Sequence, residues 1–202
     1  MKQKDSFLIL PTIYCLLRRS PILGLFGVIG LVTVLTGCSL FKTRTAPKPS
    51  QSGVVWQAPL KPAVVLTNFK NSYTGTNLGY YLDCFTQDFV FLADPYERNG
   101  IDSLKFVNWD REVEETVTQR IFTSGAISLS FSSTEPADEI LDTLAVLYRG
   151  YEFRLYFYPQ EKYAKGKSRF YLRREGDYWS IFKWEDIRAD TTDWGEIKGT
   201  FR

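Results

Sequence analysis

Apolar residues change their period at Gly125, and this constrains the fold more than any other feature of the chain. Before it, apolar side chains recur every three or four residues. Val65 or Leu66, Phe69 and Tyr73 form one stripe, and Val113, Val117 and Ile121 another. After it they recur every second residue: Ile127, Leu129 and Phe131 alternate with serines, and Tyr151, Phe153, Leu155 and Phe157 share one face. A period near 3.6 specifies helix and a period of two specifies strand. Helices gathered ahead of alternating strands specify an α+β fold with a mostly antiparallel sheet, not a doubly wound parallel one.

Punctuation refines the reading. Pro62 suits a helical first turn and Gly75 stops that helix. Asn77 caps a short second helix presenting Leu78, Tyr81, Leu82 and Phe85. Asp88 to Leu92 reads as a strand ended at Asp94-Pro95, followed by loop residues. Asp110 to Ser124 reads as a third helix, with Gly125 placed as its stop. Strands are predicted over Thr143 to Arg149, Tyr151 to Tyr158, Arg169 to Arg174 and Tyr178 to Asp186. A lysine-rich loop with Gly166 separates the second from the third, and Glu175-Gly176-Asp177 turns the chain before the last. Across that hairpin, Phe170 and Leu172 face Trp179 and Ile181. The stretch from Trp194 to Lys198 is predicted to close the chain by packing a tryptophan back on the domain.

The amino terminus obeys different rules. Pro21 to Thr36 carries no charged residue, follows the basic pair Arg18-Arg19, and ends in Leu35-Thr36-Gly37-Cys38. The run is short for a membrane span of about 20 residues and has the region order of a secretory signal. Leu35-Thr36-Gly37-Cys38 resembles the lipobox of bacterial lipoprotein signal peptides. The resemblance implies cleavage between Gly37 and Cys38, lipidation of the Cys38 thiol, and anchoring in membrane lipid through that residue. Two acyl chains hold a protein stably where one holds it marginally. Ser39, in place of aspartate, implies an outer-membrane destination, on the periplasmic face, ahead of the inner membrane. The competing reading is an uncut signal anchor. A second apolar run, Phe7 to Leu17, is broken at Pro11, which leaves open a start downstream of Met1. The organisation expected is a signal peptide over 1–37, a lipidated and disordered tether over 38–60 rich in proline, serine and lysine, and one folded domain over 61–202.

Loss of the signal removes four basic residues (Lys2, Lys4, Arg18, Arg19) and one acid (Asp5) from totals of 25 and 23, leaving 21 against 22. A near-neutral mature chain argues against nucleic acid as partner. The absence of histidine excludes imidazole metal sites and histidine-dependent nucleophilic catalysis. No metal ligand set and no cofactor is expected. Cys84 is the one mature cysteine other than the lipid site. Its neighbours Leu82 and Phe85 place it on an apolar helix face as a small buried hydrophobe.

The order of helix, helix, strand, helix and strand meander resembles the nuclear transport factor 2-like superfamily, a cone-shaped α+β fold whose helices pack on a strongly curved sheet. The segments carrying the likeness are Phe69 to Tyr73, Tyr81 to Phe85 leading into Asp88 to Phe91, and Tyr178 to Asp186. The resemblance implies a pocket between sheet and first helix, in a fold that serves enzymes, carriers and interaction modules alike. The catalytic candidates are Asp88 or Asp186 as base and Tyr81 as hydrogen-bond donor, for isomerase or hydro-lyase chemistry. The two aspartates serve equally as strand-end caps or as partners of Arg173 and Arg188. Against that stands a non-catalytic envelope module binding a partner protein or a small apolar ligand, with Arg154, Tyr156 and Tyr158 on the opposite sheet face as an interface. A structural part in an envelope assembly is the third reading. A hollow cone with a converging aspartate and tyrosine favours the enzyme; a filled cone beside an exposed tyrosine face favours the interaction module.

Overall fold

Pro62 opens α1 (Pro62–Thr74), where its fixed φ and missing N–H cost nothing. Val65, Leu66, Phe69 and Tyr73 bury the expected stripe. Ser72 joins it because its hydroxyl donates back to the Asn68 and Phe69 carbonyls. Asn77 caps α2 (Leu78–Leu82), accepting the Tyr80 N–H at 3.0 Å. The computed structural model describes residues 55–189 and 192–202. The Leu35 to Cys38 motif, its cleavage site and most of the expected tether therefore lie outside the described residues. Among those described, no helix is long and apolar enough to cross a membrane.

Residues 55–60, expected in the tether, lie against the fold. Trp56 stacks on Tyr80 at 5.3 Å. Gln57 exchanges two hydrogen bonds with the Asn68 side chain. The Trp179 N–H donates to the Pro59 carbonyl at 2.9 Å.

β1 (Phe85–Leu92) begins three residues before the expected strand. The expected loop beyond it contains α3 (Pro95–Arg98), capped by Asp94, and a 3-10 turn over Ser103–Phe106. α4 (Arg111–Ser124) starts where the Asp110 carboxylate accepts the Val113 N–H. Gly125 ends it, though not by a left-handed turn: its φ is 173°. A Cβ there would stand 1.9 Å from the Tyr156 carbonyl oxygen, so the requirement is for close passage beside a neighbouring strand.

The remaining strands are β2 (Ala126–Ser133), β3 (Glu139–Ile140), β4 (Leu144–Phe157), β5 (Gln160–Glu175) and β6 (Tyr178–Arg188). They form one sheet in the order β1-β6-β5-β4-β2, with β3 beside β4. Only β1 and β6 pair in parallel among the described strands. Two expected strands fuse into β4, because Gly150 sits in the ladder opposite Ser132 and Lys167. The lysine-rich loop is the first half of β5. Lys165 and Lys167 project outward while Ala164, Gly166 and Ser168 take the inner face, and Lys162, half-buried, donates to the Thr200 hydroxyl at 3.0 Å. Small inner residues leave room for the aromatic side chains beneath: a Cβ on Gly166 would stand 2.5 Å from the Tyr151 hydroxyl. At the last hairpin Leu172 faces Ile181 as expected. Trp179 lies opposite Arg174 and not Phe170, and a register shift between Tyr171 and Leu172 puts Phe170 opposite Trp184.

α5 (Trp194–Gly199) closes the described chain, its Asp193 cap accepting the Glu196 N–H at 2.7 Å. The sheet wraps an aromatic core in which Phe69 packs against Tyr73, Tyr81, Phe85, Phe170, Trp184 and Trp194 at centroid distances of 5.2 to 5.9 Å. Tilted and edge-on pairs of this kind each add about 0.5–1.5 kcal/mol beyond their burial.

Candidate functional site

Trp194 and Lys198 stand four residues apart on α5, so both project from one helix face. That face points into the cone, and both side chains are fully buried. The Trp194 indole stacks on Phe153 at 5.1 Å and meets Trp184 and Tyr73 edge-on at 4.7 and 5.1 Å. Its ring N–H donates to the Tyr73 hydroxyl at 3.2 Å, and its backbone N–H to the Tyr151 hydroxyl at 2.9 Å. The interior that the fold offers for a ligand is thus occupied by the chain's own side chains.

Lys198 carries a charge into this interior. Its Nζ lies 2.8 and 2.9 Å from the two Glu114 oxygens and 3.6 Å above the Trp184 ring. Glu114 also accepts from Tyr81 (2.5 Å), the Trp109 indole (2.8 Å) and Thr118 (3.2 Å). A carboxylate with this many donors is satisfied without water. Burial pulls Lys198 down to about 8, against the upward pull of Glu114. Burial, followed by the Glu114 charge, raises the Tyr81 phenol well above its ordinary range.

A second polar cluster holds the amino end of α5. Asp186 accepts the Gly195 N–H at 2.7 Å. Its other oxygen, one oxygen of Asp193 and one of Glu97 are buried without a hydrogen-bond partner. Arg188 reaches Glu97 at 2.7 Å and Glu196 at 3.1 Å, with its guanidinium 4.4 Å over Tyr96. Burial raises both aspartates, Asp186 to about 6, and the neighbouring Asp186 charge adds to burial in raising Asp193 to about 8. Among the described residues no group of three His, Cys, Asp or Glu is placed to hold a metal ion.

This cluster predicts an inverted acid response. A carboxyl whose folded pKa is raised favours the native state most below its unfolded value, and that advantage is lost as pH climbs through the folded one. Thermal unfolding is therefore expected to fall by roughly 10 °C between pH 4.5 and 8.5, an effect of about 3 kcal/mol. Asp193→Asn keeps a good cap and removes the larger of the two titrations, leaving that of Asp186, so its melting temperature should vary less over that range. Equal slopes for both proteins would refute the assignment.

The expected catalytic residues do not meet. Asp88 is exposed and forms a bidentate pair with Arg173 at 2.8 and 2.7 Å, chiefly by which its carboxyl is lowered to about 2. Tyr81 is spent on Glu114 in the interior. Asp186 sits under α5, and it is Glu97, not Asp186, that pairs with Arg188. Cys84 is a small buried hydrophobe as expected, its thiol pushed up by burial, but it lies in the turn between α2 and β1 and not on a helix face. Sequence reasoning missed Glu114, Asp193 and Lys198. The available signal was Glu114 itself, an acid in line with Val117 and Ile121 on a buried stripe.

Among the described residues, the clearest grooves lie outside the cone. A groove of about 640 Å³ runs between the 95–106 segment and α5, lined by Tyr96, Ile101, Lys105, Phe106, Glu196 and Thr200 among others. On β4, Tyr156 and the adjacent Tyr158 face solvent, and Arg154 pairs with Glu161 at 2.7 Å while covering Tyr163.

No family model matches this chain, and no curated protein does. Solved structures do resemble it. A candidate scytalone dehydratase from Novosphingobium aromaticivorans has a TM-score of 0.53 at 13% identity, covering 64% of this chain and 83% of that one. The beta subunit of benzoate 1,2-dioxygenase from Burkholderia mallei has a TM-score of 0.51 at 18% identity, covering 63% and 88%. A conserved protein from Planctomyces limnophilus has a TM-score of 0.52 at 13% identity, covering 61% and 89%. Likeness at such identity speaks for the fold and not for the activity. The chain has the nuclear transport factor 2-like fold, α+β with a curved, mostly antiparallel sheet.

Proposed function

We propose that this protein is a lipid-anchored envelope protein whose folded unit binds a partner protein through its outer surfaces and performs no chemistry of its own. The observation that carries the non-catalytic part is the filled cone: Trp194 and Lys198 occupy the interior where a substrate would sit. The separation of Asp88 from Tyr81 and Asp186 supports it, since acid–base catalysis needs groups within reach of the same substrate atoms. The anchor rests on the order of basic pair, apolar run and Leu35-Thr36-Gly37-Cys38.

In cells fed labelled palmitate, the wild type is expected to carry the label and to sediment with membranes, and Cys38→Ser to lose both. Absence of label from the wild type removes the anchor. An environment-sensitive apolar dye should stay dark with the wild-type protein. Bright, saturable binding would overturn the filled-cone reading in favour of a carrier of small apolar ligands.

A further inference from the structure

The two edges of the sheet are built differently. The β1 edge is guarded: its register against β6 slips between Phe85 and Val90, Asp88 stands on it, and Val90 bridges to Asp110. The Phe91 N–H is also used, donating to the Trp109 carbonyl at 2.9 Å. β2 has none of these devices. Ala126 to Ser133 pairs with β4 through eight residues without a slip and contains no charge, proline or glycine. Among the described residues, the backbone along its outer edge has no hydrogen-bond partner beyond β4. Such an edge is a template for another strand, and proteins that keep theirs free break it with charge, proline or a bulge.

The strand is also complementary to itself. Ile127, Leu129 and Phe131 face inward and Ser128, Ser130 and Ser132 outward, a pattern symmetric about Leu129. Residues opposite one another in an antiparallel pair project to the same side of the sheet. With Leu129 opposite its own copy, Ile127 meets Phe131 and Ser128 meets Ser130. Inner residues stay inner, serines stay outer, and the outward backbone groups of one strand meet those of the other. Phe131, half-buried in one chain, gains cover from the second. A shift by one residue would set serines against the apolar row. We propose that two copies of this chain join along β2, antiparallel about Leu129, so that a two-fold axis closes the pair and the two sheets become one. The inference rests on the folded unit alone and stands apart from the lipid anchor.

The full chain purified in mild non-ionic detergent tests it by light scattering. The wild type at tens of micromolar is expected to show two chains per particle. Combining Ser128→Lys with Ser130→Lys places like charges opposite each other in the paired register and should halve the protein mass per particle. Its thermal unfolding should stay cooperative, because both serines are exposed. Gln87→Lys on the guarded β1 edge should leave two chains. One chain per particle for the wild type, or two for the doubly substituted protein, overturns the proposal.

Discussion

Replacing Lys198 with methionine is expected to cost about 3–5 kcal/mol, because it strands a buried carboxylate without its counter-charge. Glu114 would keep Tyr81, Trp109 and Thr118 as donors but lose the ammonium at 2.8 Å. The methionine fills much the same volume over Trp184, so packing changes little and the loss is electrostatic. Adding Glu114→Gln to Lys198→Met should restore part of the lost stability, since the neutral amide removes the unpaired charge and its oxygen can still accept from the Tyr81 and Thr118 hydroxyls, while the Trp109 indole N–H loses its acceptor. Urea unfolding of the four proteins in the cycle measures the coupling. A single-variant cost below about 1 kcal/mol would mean that the pair contributes like an exposed one. The exposed Arg173–Asp88 pair provides that contrast within one molecule, for its geometry is as good and its expected worth is small.

The parts of this fold that could be read from sequence are those where apolar periodicity and end signals agree. α1, α2 and α4 each combine a stripe of buried residues with a proline start or a capping side chain, and the structure keeps all three. The last hairpin was legible for the same reason, with Gly176 at φ 62° at its turn. β5 was half hidden because its inner face carries Ala164, Gly166 and Ser168, residues that a hydropathy pattern reads as loop. Their smallness is a response to Tyr151 beneath, which no local pattern reveals. α3 and the 3-10 turn were missed because elements of four residues leave no period to detect.

The interior site was hidden for a related reason. Tyr81, Glu114 and Lys198 span more than a hundred positions and meet only when α5 folds back under the sheet. A lysine next to glycine near a chain end reads as a solvated residue, since lysine is almost never fully buried unless paired. What the sequence did offer was the closing tryptophan. Its packing on the domain was expected; its role in filling the cone follows only from the stacking on Phe153.

Trp194→Ala is expected to cost about 3–5 kcal/mol, the usual cost of deleting a buried large aromatic side chain. The indole has no exposed surface, and removing it leaves Phe153, Trp184 and Tyr73 facing a void, with the Tyr73 hydroxyl losing its donor. A void of this kind, lined by rings and closed to solvent, stays largely dry and takes up a small apolar guest. Free indole matches the missing group in shape and carries the N–H that Tyr73 accepted. Millimolar indole should therefore raise the melting temperature of the Trp194→Ala protein, by an amount that grows with the logarithm of its concentration, and leave the wild type unmoved. Benzene should rescue less well, because it lacks the donor. If indole stabilises both proteins equally, the wild-type cone has room of its own and Trp194 is not what fills it. If it stabilises neither while the variant stays folded, the walls have collapsed inward, and the cone is held open by the tryptophan and not by the curvature of the sheet.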